Sequence, residues 1–293
     1  MIRAAFLALL ACVLLAGCGR DRAPQSASVP GTPALWVVES EDGRTAGWLF
    51  GTIHALPDGA RWDTPAIERA IADAGLLVVE VRDLDPARLA AEFERLARDR
   101  PGPPLAARLG PEAREDLADL LERESASARR LDGLESWAAA LALAQLGNEV
   151  KPRNGADKRL LELFAGRPIR ELEGAADQFA IFDALPERDQ RTMLAAVIAE
   201  QDRAEADAAA LARAWLAGDT ARLEGLARIG LLADPALYDT LLVRRNHAWA
   251  RKIAPLLAAG KQPLVAVGTA HMLGPDGLPE LLADQGYRVR RIQ

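Results

Sequence analysis

Gly51-Thr52-Ile53-His54-Ala55-Leu56-Pro57-Asp58-Gly59 stands near the start of this chain, and Gly268-Thr269-Ala270-His271-Met272-Leu273-Gly274-Pro275-Asp276-Gly277 near its end. The two align as G-T-x-H-x-L, an optional Gly, then P-D-G. The 293 residues include three histidines, and two hold the same place in this phrase, 217 positions apart (His54 to His271). Each copy follows an apolar run, so each is predicted to end a strand with its imidazole on a tight loop. Gly51 and Gly268 suit strand ends where a side chain obstructs a close approach or where φ is positive. A neutral imidazole is the commonest protein ligand for a transition metal. Pro-Asp-Gly closes a turn and starts a helix.

Outward from the first phrase, Leu35–Glu39 reads as a strand and Glu41-Asp42-Gly43 as a hairpin turn. Thr45–Phe50 is the return strand. Thr64–Asp73 reads as a helix with Thr64 at its N-cap and Pro65 at its first position. Leu76–Val81 is an apolar run, as in a buried strand, broken only by Glu80. From Asp85 to about Gly260, Ala, Leu, Arg and Glu recur at helical spacing. Helices are expected near 86–99, 111–125, 135–147, 157–165, 175–184, 187–217, 219–228 and 234–259. Pro168–Leu172 is a short strand candidate. Leu264–Val267 is a buried strand running into the second phrase, 278–285 a helix, and Tyr287–Ile292 a closing edge strand.

Strands therefore cluster at both ends, and neither end alone has enough of them to bury an apolar face. The expected architecture is α/β: a mixed central sheet formed by N- and C-terminal strands, with a large helical insertion at about 85–260 between the two halves. The phrases are expected to meet at one edge of that sheet, beyond the carboxyl ends of its strands, where open α/β sheets bind ligands.

Residues 1–17 have a positive Arg3, an apolar Phe6–Leu15 stretch and a small-residue end, the layout of an export signal. Leu15-Ala16-Gly17-Cys18 resembles the bacterial lipobox, which implies lipid attachment to Cys18 and a membrane anchor. Gly19, not Asp, follows the Cys, and by analogy this points to the outer membrane, facing the periplasm. Residues 18–34 are rich in Pro, Ser, Ala and Gly and read as a flexible tether. Cys12 and Cys18 are the only cysteines, so the 35–293 domain has no disulfide and no thiol nucleophile. Net charge is −6 with acidic and basic residues interleaved, so nucleic acid is not an expected partner.

Two histidines do not make a catalytic zinc site, which usually has three protein ligands and an open position. Glu80 is the natural third candidate, as ligand or as general base. A buried carboxylate needs a partner, and an ion pair at the sheet edge is the plain alternative. Arg245 and Asn246 share one predicted helix and can bind a carboxylate or polarise a carbonyl, or belong to a solvated charged face. Glu171 and Glu173 flank Leu172; Glu173 is the favoured acid–base candidate. His247 reads as a surface or packing histidine, Asp157 as a helix cap. No Walker A, GxGxxG, GxSxG or HExxH motif is present.

Several stretches together resemble the TraB/GumN group, related to the TIKI metalloproteases. They are Phe50–Pro57, Val78–Glu80, Gly155-Ala156-Asp157, Leu172-Glu173 with Gln178, Arg245-Asn246, Val267–Leu278 and Gly286–Arg291. The resemblance implies a metal-dependent hydrolase site of His54, His271 and a carboxylate such as Glu80, with Arg245 and Asn246 nearby. It implies a divalent metal (Mn, Co or Zn) and a peptide or protein substrate. A non-enzymatic lipoprotein, binding peptide or haem or acting as a scaffold, is the alternative.

Overall fold

The computed structural model describes residues 29–100, 102–146 and 154–293. The predicted signal segment and Cys18 lie outside the described residues. Among the described residues eight strands form: β1 (Val29–Pro30), β2 (Leu35–Glu39), β3 (Thr45–Thr52), β4 (Ala60–Arg61), β5 (Leu76–Val79), β6 (Ile169–Glu171), β7 (Pro263–Gly268) and β8 (Arg288–Arg291). Six make one mixed sheet in the order β6-β5-β7-β3-β2-β8. β6, β5, β7 and β3 run parallel, and β2 is antiparallel to both of its neighbours. The hairpin turns at Gly43, whose φ of 78° is open to glycine at little steric cost. β8 is the closing edge strand, as its alternation predicts.

β5 and β7 are buried along their whole length, as parallel strands covered on both faces must be. On one face, the helices Pro65–Asp73, Ala156–Leu163, Ala204–Leu216 and Thr220–Ala227 share a core with Phe50, Leu77 and Leu264. Phe50, Trp62 and Trp215 contact one another there, with ring centroids 5.6–6.1 Å apart, each pair contributing about 0.5–1.5 kcal/mol beyond its burial. On the other face, the helices Arg244–Ala258 and Leu278–Ala283 pack on Leu49, Val78 and Val265. A third core, around Phe93, Trp137, Phe179 and Phe182, belongs to the remaining helices.

The helical insertion is thus less separate than expected. It supplies the edge strand β6 and several helices that cover the sheet, because a sheet with two apolar faces needs cover on each. Three further expectations are corrected. The single helix predicted over 187–217 is two, Glu187–Ala199 and Ala204–Leu216, joined by a 3-10 turn at Gln201–Arg203. Buried Gln201 holds that break by donating from Nε2 to Leu143 O at 2.8 Å. The helix predicted over 234–259 carries a π turn at Asp239–Val243. Part of the predicted tether belongs to the fold: Val29 and Gly31 donate their N–H groups to Gly59 O and Arg61 O, and Thr32 donates to Leu216 O.

The phrases meet in the middle of the sheet order, not at an edge strand. Thr52 on β3 is in register with Gly268 on the adjacent β7, so both phrases begin at the carboxyl ends of neighbouring central strands. They touch directly. A side chain on Gly51 would come within 2.5 Å of Thr269 Oγ1, so close approach, rather than a positive φ, requires glycine there.

Candidate functional site

The second phrase turns into a 3-10 segment, Thr269–Met272, which carries His271 into the interior with 1% of its surface exposed. Its Nδ1 lies 2.5 Å from Asn246 Oδ1, while Asn246 Nδ2 donates to Asp276 O at 2.6 Å. The carbonyl on one side of Asn246 orients its amide, so Oδ1 accepts and His271 carries its proton on Nδ1. Nε2 then bears the lone pair, and Arg245 Nη1 lies 3.4 Å from it, a long contact. Burial first, then the Arg245 charge, hold His271 well below its ordinary pKa, so this imidazole is neutral.

Arg245 is the hub of the buried cluster. Its Nε and Nη2 donate to both oxygens of Glu173 at 3.0 and 2.9 Å, and Nη2 also reaches Glu80 Oε2 at 3.2 Å. Nη1 donates to Leu241 O, a carbonyl inside the π turn. With Leu241 O and His271 on Nη1, the guanidinium's donors are engaged within the fold. Arg245 thus makes its hydrogen bonds to protein groups, and Asn246 does so at both ends of its amide. Arg245 and Asn246 position other groups.

Glu80 lies just beyond β5. Its Oε1 accepts the N–H of Gly268, the first residue of the second phrase, at 2.6 Å, and Gln178 Nε2 reaches Oε2 at 3.3 Å. Burial raises the Glu80 pKa, while Arg245 and the Gly268 N–H oppose the rise. Glu173 also accepts from Trp249 Nε1 at 2.8 Å. Glu171 and Glu173 do not share a face: β6 ends at Glu171, which is exposed and accepts from the Arg82 N–H.

His54 sits on the first phrase with 13% of its side chain exposed. Its Nδ1 is 2.8 Å from Asp157 Oδ2. Burial alone would raise the Asp157 pKa, but His54 and backbone N–H groups outweigh it and hold the carboxyl below its ordinary value. Gly155, not Asp157, is the N-cap, without a side-chain bond, and Asp157 sits in the first turn, where the N–H groups of Lys158 and of Asp157 itself act on its carboxyl. Gly155 permits the pairing, since a side chain there would strike His54 O at 2.5 Å, and the Ala156 N–H donates to Ile53 O. Asp157 and Gln178 are partners of the candidate residues that reading by residue type did not single out. For each the signal in the sequence was its place in a stretch that carries the family resemblance. His247 joins none of these contacts.

A family model for the TraB/PrgY/gumN family matches residues 34–291. The chain belongs to that family. No curated protein and no solved structure matches it. In both family-phrase histidines Nδ1 is turned to an acceptor, Asp157 Oδ2 for His54 and Asn246 Oδ1 for His271, and the Nε2 of His271 faces Arg245 Nη1. Outer partners of this kind are those that orient metal-bound histidines, and a neutral imidazole is a suitable donor for a divalent ion. Glu80 does not fit as a third ligand in this arrangement, because Gly268, Gln178 and Arg245 take its oxygens. Among the described residues no group of three or more His, Cys, Asp or Glu side chains is placed to hold a metal.

Proposed function

We propose that this TraB/PrgY/gumN protein is a metal-dependent hydrolase, acting on peptides, held at the envelope by a lipid on Cys18 and facing the periplasm. The observation that carries the reading is the pair of oriented imidazoles at the carboxyl ends of adjacent strands, with a carboxyl of raised pKa, Glu80, tied to the second phrase. His54 and His271 would hold the ion through Nε2. When bound, the metal supplies Lewis acidity that lowers the pKa of water toward about 7. Asp157 orients His54, Asn246 orients His271, and Glu80 holds or releases a proton beside them. The buried Arg245–Glu173 pair keeps Glu80 in place.

A second reading is favoured by the Arg245 contact on His271 Nε2: a metal-free hydrolase in which His54, oriented by Asp157, is the general base. One experiment separates them. The mature domain from Val29 is assayed for bound divalent metal and for peptide cleavage, as wild type, His54→Ala and His271→Ala. Stoichiometric metal lost in both variants together with cleavage supports the first reading. Cleavage without metal, lost only in His54→Ala, supports the second. Unchanged cleavage in His54→Ala sinks both. Cys18→Ser is expected to move the protein from the membrane to the soluble fraction.

A further inference from the structure

The loop after His54 and the helix that carries Asp157 also wall a cavity of about 570 Å³, with the Pro65–Asp73 helix as its third side. Neither His54 nor Asp157 lines it, yet Pro57 and Gly59 follow the one, and Asn154 and Gly155 precede the other. Asn154 Nδ2 donates to Asp58 Oδ1 at 2.6 Å and ties the two walls together. Its volume lies within the range of small-ligand sites, about 300–1,000 Å³.

The cavity is chemically two-sided. Trp62, Ile71 and Leu163 give it apolar surface, and Leu163, 38% exposed, is one of few large apolar side chains left open among the described residues. Its ionic groups are uneven. Arg61 pairs with Asp63 at 3.7 Å, and Arg159 pairs with Glu162 at 3.2 Å. Glu68, also on the wall, has no ion-pair partner among the described residues. An open apolar surface beside a carboxylate that has no ion-pair partner among the described residues is complementary to an apolar group that adjoins a positive charge.

We propose that this cavity binds an amphipathic cation: an apolar group next to an ammonium or guanidinium, as in a peptide pairing an apolar residue with Lys or Arg, or in a small aralkylamine. The site extends the proposed function by placing selectivity beside the His54–Asp157 pair. Binding is read without turnover, so a failed hydrolase reading and a failed binding site are distinguishable. The domain from Val29 is titrated calorimetrically with acetyl-Phe-Lys-amide, acetyl-Phe-Glu-amide and phenethylamine. Both cations are expected to bind at least tenfold more tightly than the anion. Glu68→Lys, at an exposed helix position, should abolish or reverse that preference, and Ala72→Trp should weaken the cations about tenfold by filling the space. Tighter binding of acetyl-Phe-Lys-amide than of phenethylamine assigns the site to peptides; equal binding assigns it to amines at large. Equal affinity for cation and anion, an unchanged preference in Glu68→Lys, or no binding of any probe at millimolar concentration overturns the proposal.

Discussion

The two phrases share their wording and differ in nearly everything around them. The first contributes Ile53 and Leu56 to a single core, on one face of the sheet. The second reaches all three: Ala270 joins the helical core, Met272 one face of the sheet and Leu273 the other. His54 accordingly sits near the surface with a carboxylate partner, and His271 is sealed in with an amide partner. Even the shared Pro-Asp-Gly ends differently. Gly59 (φ 78°) leads into β4, whereas Gly277 is the N-cap of the Leu278–Ala283 helix. A shared motif sets the backbone path out of a strand; the layers packed around it set the chemistry.

The strongest test of that contrast is Arg245→Ala. It leaves Glu80 and Glu173 buried without their cation, and removing one partner of a buried ion pair costs about 3–5 kcal/mol. Urea unfolding should show a loss of that size, against about 1 kcal/mol or less for Asp157→Asn at the first phrase. Equal losses would break the comparison.

Next comes truncation of the histidines themselves. His271→Ala opens a cavity and orphans Asn246 Oδ1, at a cost of about 2–4 kcal/mol. His54→Ala, nearer solvent but leaving Asp157 without its partner, should cost less, about 1–2 kcal/mol. Thermal unfolding of the two variants side by side measures the gap, and a gap of zero would mean the phrases are structurally equivalent.

Gly51→Ala sharpens the contact between the phrases. The added methyl meets Thr269 Oγ1 at 2.5 Å, and overpacking of this kind costs about 1–3 kcal/mol. Combining it with Thr269→Ala should recover part of the loss, and a double-mutant cycle without coupling would refute direct contact.

The smallest effect is in pH. Unfolded His271 takes up a proton near its ordinary value of 6.5, while the folded group, held well below that by burial, does not. Its contribution is therefore present above pH 6.5 and is lost as pH falls toward the folded value. From pH 7 to 5.5 the wild type should lose roughly 1 kcal/mol more than His271→Gln. Glu80 acts in the opposite sense: its raised pKa favours folding at low pH and that benefit fades as pH rises. It is common to both proteins and cancels in the difference. Equal pH slopes would show that His271 titrates normally.

Much of the fold was legible because it rests on local rules. The Asp42-Gly43 hairpin, the Thr64-Pro65 helix start and the buried runs at β5 and β7 depend on turn chemistry, capping and continuous apolarity. Glu80 and Glu173 were legible as carboxylates in unusual places. The break at Gln201 was not, because its cause is a hydrogen bond to Leu143, 58 positions earlier. Nor was the role of Arg245: an Arg on an Arg-rich helix looks the same in sequence whether it faces water or two buried carboxylates.

By itself the sequence determined that this chain has a mixed sheet closed by its two ends, and that each end delivers a histidine on the same loop. Periodicity, turn residues and a repeated phrase suffice for that, since each acts within a few residues along the chain. Only the tertiary structure decided which histidine is buried, that Asp157 orients one and Asn246 the other, and that Arg245 binds Glu80 and Glu173 instead of solvent. Those choices depend on burial and on partners up to 165 positions away in sequence, as for Glu80 and Arg245. Packing, not pattern, brings such groups to hydrogen-bonding distance.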